Sequence, residues 1–169
     1  MILSQRFLST GRGVPDNPST LRYISSVMPA TNRSTLAAFD ADRVRHVVQE
    51  TVSGPLYAFC EYDTESFRPL YIDDRTISMY DGREAMLEHF DRIHTNVHMD
   101  FMQSELFRNT LFPEAERVEY ITTSMDFLKI LRVYVGDDGL FISVDPDEPV
   151  VPIVDAIKEA LEWPPNQNS

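Results

Sequence analysis

The stretch VEYITTSMDFLKILRVYVGDDGLFISV, from Val118 to Val144, predicts three consecutive β-strands. Between Phe127 and Val135 it is apolar on both faces, except at Lys129 and Arg132. A strand with two apolar faces is typical of the interior of a sheet, because both of its faces must be covered. We therefore expect the centre of the fold to be built from this stretch.

The residues on either side of this inner strand complete a three-stranded meander. Gly136–Gly139 is a turn cluster whose glycines can adopt positive φ, and Leu140–Val144 is predicted to be a second inner strand. Val118–Thr123 is rich in polar residues and is therefore predicted to lie at a sheet edge.

Two further strands are predicted upstream, at Leu56–Tyr62 and Phe67–Ile72. The first is again apolar on both faces, and simple alternation places Leu56 and Ala58 on the same face. The second contains Pro69, which cannot donate a hydrogen bond to a neighbouring strand, so it is predicted to be an edge.

Three helices are predicted from apolar residues that recur at helical spacing. The first runs from an N-cap at Asp40 to Val52. The longest spans about 82–111, begins after Asp81 or Ser78, and contains a slip in its pattern that allows a kink. The last follows the acids and prolines of residues 145–149. Their buried stripes are expected at Val44, Val47, Val48 and Val52, at Met86, Phe90, Ile93, Val97, Phe101 and Ser104, and at Val150, Ile153, Val154, Ile157 and Leu161.

The element order α-β-β-α-β-β-β-α predicts an α+β fold with a single five-stranded antiparallel sheet. A hairpin, a helical crossover and a meander give the strand order 2-1-5-4-3. The two predicted edge strands then fall at the two ends of the sheet, and the three strands with apolar faces fall inside it. The strand order and the residue pattern of the individual strands therefore agree.

This topology, over residues 40–161, resembles the roadblock family of dynein light chains and GTPase-regulator subunits. Profilins and PAS-type sensor domains share much of the sheet order, but the long helical region and the closing helix favour roadblock. The resemblance implies a non-enzymatic protein that dimerises and acts as a scaffold or as a partner of small GTPases. The segment GLFISVDP, residues 139–146, is also similar to small proteins of salt-loving archaea.

The charge balance restricts the class of partner. The chain has 27 acidic and 15 basic residues, and only Lys129 and Lys158 of the latter are lysines. An acidic, lysine-poor surface is typical of halophilic cytoplasmic proteins, and it disfavours nucleic-acid binding by the folded part. The single cysteine, Cys60, suits a reducing cytoplasm, and no apolar run is long enough to span a membrane.

The domain boundaries follow a change in composition. Residues 1–33 contain four arginines and one acid, a net charge of +3 that leaves −15 for the rest of the −12 chain. We expect 1–33 to be a flexible basic tail, although a targeting peptide or an arm that contacts nucleic acid are alternatives. We expect 34–165 to be a single α+β domain and 166–169 to be a disordered end.

The candidate metal ligands lie on the long helix. Asp91, His94, His98 and Glu105 fall on one side of the helix, and His94 and His98 have the one-turn spacing of two imidazoles that share an ion. The glutamate of an HExxH motif is absent from the sequence. Half-buried histidines beside an apolar stripe are the more ordinary interpretation.

Other chemistry finds little support in the sequence. There is no P-loop, GxGxxG, CxxC or GxSxG motif, so we predict no catalytic residue and no cofactor. Cys60 is expected to be a core residue. The acidic residues Asp137, Asp138, Asp145, Asp147 and Glu148 are expected to serve turns and caps.

Three aromatic residues, Tyr57, Phe59 and Tyr134, are candidates for an interface or a ligand pocket. The first hypothesis is an interaction module that dimerises through a sheet edge or the long helix. The second is a PAS-like sensor with a pocket lined by these three residues, and the third is a metal-dependent enzyme that uses His94 and His98.

Overall fold

The structure, a computed structural model, describes residues 32–163. The predicted tail at 1–33, apart from residues 32 and 33, and the predicted end at 166–169 lie outside this range. The elements are α1 (Ala41–Thr51), β1 (Leu56–Tyr62), β2 (Phe67–Ile72), α2 (Asp74–Ser78), α3 (Arg83–Leu106), a π-helical segment (Phe107–Leu111), β3 (Tyr120–Ser124), β4 (Lys129–Val135), β5 (Asp138–Val144) and α4 (Val150–Ala160).

The five strands form one sheet in the order β2-β1-β5-β4-β3, and all neighbouring pairs are antiparallel. This confirms the predicted fold class and strand order. The predicted edges, β2 with its Pro69 and the polar β3, lie at the two ends of the sheet. The strands with apolar faces lie inside it, where helices cover both sides.

The β4–β5 hairpin is tighter than predicted. Val135 pairs with Asp138, so the turn consists of Gly136 and Asp137 alone, and β5 begins two residues before Leu140. Gly136 has φ +66°, which fits the first central position of a type II′ turn. Gly139 lies inside the strand, directly opposite Tyr62 of β1.

Several predicted boundaries are wrong for local reasons. The short helix α2 was not expected, because five residues are too few to show a period. Gly82, rather than Asp81 or Ser78, occupies the N-cap of α3. The slip in the pattern falls between Met99 and Leu106, where α3 is unbroken, and the change to π-helix comes only at Phe107. Phe127 precedes β4 and lies in the β3–β4 turn.

A β-bulge in β1 overturns the predicted alternation. The register with β5 shifts between Leu56 and Ala58, so these two residues face opposite sides of the sheet instead of the same side. The extra residue at Tyr57 accounts for the change, since a bulge inserts one residue into one strand of a pair.

The sheet is the middle layer of three. Helices α1 and α4 cover one face and enclose the main core, whose fully buried members include Val44, Phe59, Leu131, Ile142 and Ile157. Helix α3 covers the other face above Ala58, Cys60, Tyr62 and Phe141. No helix of the described residues is long and apolar enough to cross a membrane.

Residues 32–38 form what we call the N-terminal strap, which is fixed to the sheet by a buried carboxylate. Glu61 of β1 is fully buried and accepts hydrogen bonds from Ser34 Oγ at 2.7 Å and from the backbone N–H groups of residues 35, 36 and 37. At the start of the strap, Asn32 donates to the backbone oxygens of Leu70 at 2.8 Å and Pro69 at 3.0 Å. The strap therefore begins at the outer edge of β2 and then passes over Glu61 of β1 to Asp138 of β5, which accepts a hydrogen bond from Ala38 N at 2.7 Å.

Candidate functional site

Strand β3 presents an open edge. Its residues, Tyr120–Ser124, pair with β4 on one side, and no strand of the described residues pairs with the other side. The strand contains no charged residue and no proline, and Tyr120, Thr122, Thr123 and Ser124 are exposed. Edge strands of monomeric proteins usually carry such residues to prevent pairing between molecules. This edge is therefore chemically able to accept another strand.

The hydrogen bonds that point away from the sheet can be assigned. Tyr134 N donates to Glu119 O at 3.0 Å, so residue 119 forms a hydrogen-bonded pair with residue 134. Such pairs alternate with non-bonded pairs in an antiparallel ladder. Tyr120, Thr122 and Ser124 consequently direct their backbone N–H and C=O groups towards the open side.

The outer face of α3 carries a second apolar surface. Met99, Met102 and Leu106 are spaced at i, i+3 and i+7 and are 63%, 64% and 49% exposed. We call these three residues the α3 outer stripe. Large apolar side chains that are exposed together often mark an interface.

A buried ion pair places the C-terminal half of α3 on the β3 side of the sheet. Arg132 of β4 pairs with Asp100 of α3, and it also donates to Thr123 Oγ1 of β3 at 3.0 Å. Burial raises the pKa of Asp100, while the Arg132 charge opposes that rise. The C-terminal half of α3 therefore lies over the part of the sheet next to the open edge, and the α3 outer stripe faces away from the sheet there.

The four candidate metal ligands do not form one site. At about 1.5 Å of rise per residue, His94 and Glu105 are about 16 Å apart along the helix axis, too far to share an ion. His94 Nε2 lies 3.1 Å from the carbonyl oxygen of Asp63, so this nitrogen carries the proton as a donor. Among the described side chains, no three His, Cys, Asp or Glu residues are placed to hold a metal ion.

His98 is not covered by that finding, because its side chain is not among those that the structure describes. Metal binding by His94 and His98, with Asp91, stays a prediction. His94 also packs against the Phe67 ring, with the ring centroids 6.2 Å apart, as expected for a half-buried histidine beside an apolar stripe.

The three aromatic candidates do not line a common pocket. Phe59 is fully buried in the core beneath α1 and α4, whereas Tyr134 packs edge-on against Phe101 of α3 on the other side of the sheet. A pocket lined by Tyr57, Phe59 and Tyr134 together is therefore excluded by their placement. Tyr134 lines a cleft, described below.

Cys60 has the core position and Asp145 the turn role that were expected, whereas Glu148 makes a long-range contact instead of a local one. Cys60 is buried under α3, and burial raises the pKa of its thiol. Asp145 accepts a hydrogen bond from Asp147 N at 3.0 Å. Glu148 accepts hydrogen bonds from Ser53 N and Gly54 N, both at 2.9 Å.

A cleft of about 630 Å³ opens beside the C-terminal end of α3. We call it the α3–β4 cleft. It lies between the β1–β2 turn, α3, the π-helical segment, the segment before β3, β4 with its turn, and the residues that follow α4. The lining residues are Thr64, Phe101, Ser104, Glu105, Arg108, Arg117, Val118, Tyr134, Val135, Gly136, Asp137 and Trp163.

The sequence pattern indicated Glu105 as a candidate metal ligand and Tyr134 as a candidate pocket residue, but it did not place them in one site. It did not indicate the remaining residues as lining a cleft. They come from elements distant in sequence, and no local motif connects them. The α3 outer stripe could have been found, because Met99, Met102 and Leu106 lie off the stripe of the same helix that is predicted to be buried.

Solved structures with similar folds were found by comparison of coordinates. A structure described as MglB with a tetrameric arrangement has a TM-score of 0.50 and 15% identity, covering 80% of this chain and 93% of that one. A Roadblock/LC7 domain from Streptomyces avermitilis has a TM-score of 0.46 and 9% identity, covering 72% and 91%. The gliding protein MglB from Thermus thermophilus has a TM-score of 0.45 and 13% identity, covering 82% and 100%.

At these identities the likeness concerns the fold alone, and it confirms the predicted roadblock-like architecture. No protein-family model matches the sequence, and the search of curated proteins found no match.

Proposed function

We propose that this protein is a small, non-enzymatic regulatory module that acts by binding other protein chains, with a second copy of itself as its first partner. The observation that carries the proposal is the open, uncharged edge of β3. The α3 outer stripe, on the solvent side of the helix that lies over β4, supplies further apolar surface for association.

The two ends of the sheet differ in their ability to pair. At β2, Asn32 of the strap occupies the outward carbonyl oxygens of Leu70 and Pro69, and Pro69 itself has no N–H group. At β3, the corresponding groups of three residues have no partner among the described residues. Self-association through the sheet is therefore expected at β3.

The acids near β3 do not prevent this pairing. Glu119, which directly precedes the strand, is bound by Lys158 of α4 and lies 3.5 Å from Arg117. Its charge is compensated within the molecule, so a second β3 strand does not meet an unpaired carboxylate there. Antiparallel pairing of two β3 strands also places identical residues around a two-fold axis, as in most symmetric dimers.

The test is the mass of the full chain in molar potassium chloride, measured by light scattering coupled to size exclusion. We expect a mass near twice 19.4 kDa. The MglB structure with the tetrameric arrangement makes a fourfold mass a second outcome that supports self-association.

The variant Thr122→Pro removes one outward N–H group without touching the bonds to β4. We expect it to weaken association about tenfold, the effect of one or two lost hydrogen bonds. Thr122→Ala keeps the N–H group and loses only the side chain, so it should associate like the wild type. A wild-type monomer at every concentration, or equal association of the two variants, would contradict the proposal.

Association with a further protein, and a cytoplasmic location, belong to the same proposal. The location is supported by the single cysteine, which is buried, and by the acidic, lysine-poor composition. The composition also supports an origin in a salt-rich cytoplasm.

A further inference from the structure

The outward groups of β3 single out one register for the pairing of two β3 strands. Tyr120, Thr122 and Ser124 direct their backbone groups outward, and Thr122 is the middle one of the three. When the antiparallel pair is centred on Thr122, Tyr120 of each copy faces Ser124 of the other, so all three residues form hydrogen bonds. A shift of the register by one such pair leaves one outward residue of each copy without a partner. The centred register therefore forms the most hydrogen bonds.

The centred register also decides which residues meet at the two ends of the strand. Residues 118 and 119 of one copy come opposite residues 126 and 125 of the other, and the two-fold axis repeats this contact at the other end. Residues that lie opposite each other in an antiparallel pair have Cβ atoms about 4.5–5.5 Å apart, so their side chains and those of their neighbours interact. The charges that flank β3 therefore contribute to the association.

The residues before β3 form a cluster with a positive net charge. Lys158 Nζ of α4 lies 2.5 Å from Glu119 Oε2, and Arg117 Nη2 lies 3.5 Å from Glu119 Oε1. We call these three residues the β3 basic cluster. Two cations next to one carboxylate leave one positive charge in excess, although the chain as a whole has a net charge of −12. Arg117 is also held by the Trp163 ring, whose centre lies 5.1 Å from its guanidinium carbon, so the cluster is fixed in place.

The turn after β3 provides an acid of the opposite charge. Asp126 lies in the β3–β4 turn, which is closed by a hydrogen bond of 2.9 Å from Met125 N to Leu128 O. Its side chain is exposed, and its carboxylate makes no hydrogen bond or ion pair with the described part of the chain. Thr122 shares a face of the sheet with Leu131, which is buried beneath α1 and α4, and alternation directs residue 126 to that same face. Lys158, which belongs to α4, lies on this face as well.

We propose that the β3 basic cluster of each copy binds Asp126 of the other copy, and that these two contacts set the register of a β3 pair centred on Thr122. The inference rests on the proposed function, because it requires two β3 strands to pair. It adds the chemistry of the partner that this edge selects. The preferred partner is a strand that is followed, two residues beyond its end, by an acid, and β3 of a second copy meets this condition itself.

The experiment exchanges the two charges in the full chain and measures the dissociation constant by sedimentation velocity in about 0.1 M potassium chloride, where the screening length is about 10 Å. Asp126→Lys and Lys158→Glu each place like charges opposite each other and should weaken association about tenfold. The double variant Asp126→Lys/Lys158→Glu restores opposite charges and should recover most of the loss. Asp147→Lys makes the same change of charge at an exposed position outside the edge, and this control should associate like the wild type.

The outcomes separate this inference from the proposed function. A monomeric wild type, or a Thr122→Pro variant that associates like the wild type, overturns both. If Thr122→Pro weakens association but Asp126→Lys associates like Asp147→Lys, β3 pairing stands and the contacts of Asp126 are overturned. A double variant that is no stronger than the single variants has the same meaning, provided that urea unfolding shows Lys158→Glu to be folded. In about 1 M salt, where the screening length falls to about 3 Å, the difference between Asp126→Lys and Asp147→Lys should shrink.

Discussion

Single residues hold this fold through close contacts that only one residue type allows. Gly139 lies in the middle of β5, opposite the fully buried Tyr62, and the aromatic ring occupies the space above it. A Cβ atom on Gly139 would lie 2.2 Å from Cζ of that ring. The need for glycine at this position comes from the close approach of a neighbouring strand and has nothing to do with φ.

We predict that Gly139→Ala destabilises the protein by about 1–3 kcal/mol, the usual effect of overpacking in a core. The free energy of unfolding can be measured with urea. The matched control is Gly136→Asn in the adjacent turn, where a Cβ atom meets nothing within 4 Å and asparagine tolerates positive φ. Equal stability of the two variants would show that the ring moves aside at little cost.

At the scale of whole elements, α3 carries apolar residues on two of its sides. Its inner side buries Met86, Phe90 and Val97 against the sheet, while its outer stripe exposes Met99, Met102 and Leu106. A helix that is apolar on both sides has no need of the outer residues for folding. Their exposure supports the proposed contact with another chain.

We predict that Met102→Glu weakens self-association by about tenfold or more, because a charge would be buried in the interface. Its stability towards urea should be nearly unchanged, since the side chain is exposed in the single chain. Sedimentation velocity over a range of concentrations measures the effect. Met79→Glu is the control, because Met79 is 59% exposed and lies outside the stripe. Equal weakening by both variants would assign the effect to net charge instead of to the stripe.

The elements themselves were largely predictable from sequence, because burial on two faces leaves a clear pattern in β1, β4 and β5. The errors arose where the conformation of a strand depends on the neighbouring strand with which it pairs. The bulge at Tyr57 is set by the pairing of β1 with β5, and it redirected Leu56 to the opposite face. The open edge of β3 could be predicted from its polarity. The α3–β4 cleft could not, because Ser104, Tyr134 and Trp163 meet only after the sheet and two helices have packed.

At the scale of the whole molecule, the net charge determines how the stability of the fold depends on salt concentration. Residues 34–169 carry a net charge of −15, from a total of −12 less the +3 of residues 1–33. Like charges on a compact surface repel one another, and this repulsion destabilises the folded state.

We predict that the free energy of unfolding rises continuously as potassium chloride increases from low concentration to molar concentration. At about 1 M salt the screening length is only about 3 Å, so the repulsion between surface carboxylates largely disappears. Thermal unfolding followed by circular dichroism measures the change, with sucrose as an uncharged control for solvent exclusion. A melting temperature that is flat or falls with salt would contradict the halophilic interpretation of the composition.

The strap at β2 limits how large an assembly can become. With the carbonyls of Leu70 and Pro69 occupied by Asn32, and with no N–H group on Pro69, the β2 edge has fewer free backbone groups for an added strand than β3 has. If two molecules pair through β3 as proposed, addition of a further strand at either β2 end of the ten-stranded sheet is disfavoured. The hydrogen bonds of Asn32 thus oppose growth into a fibre.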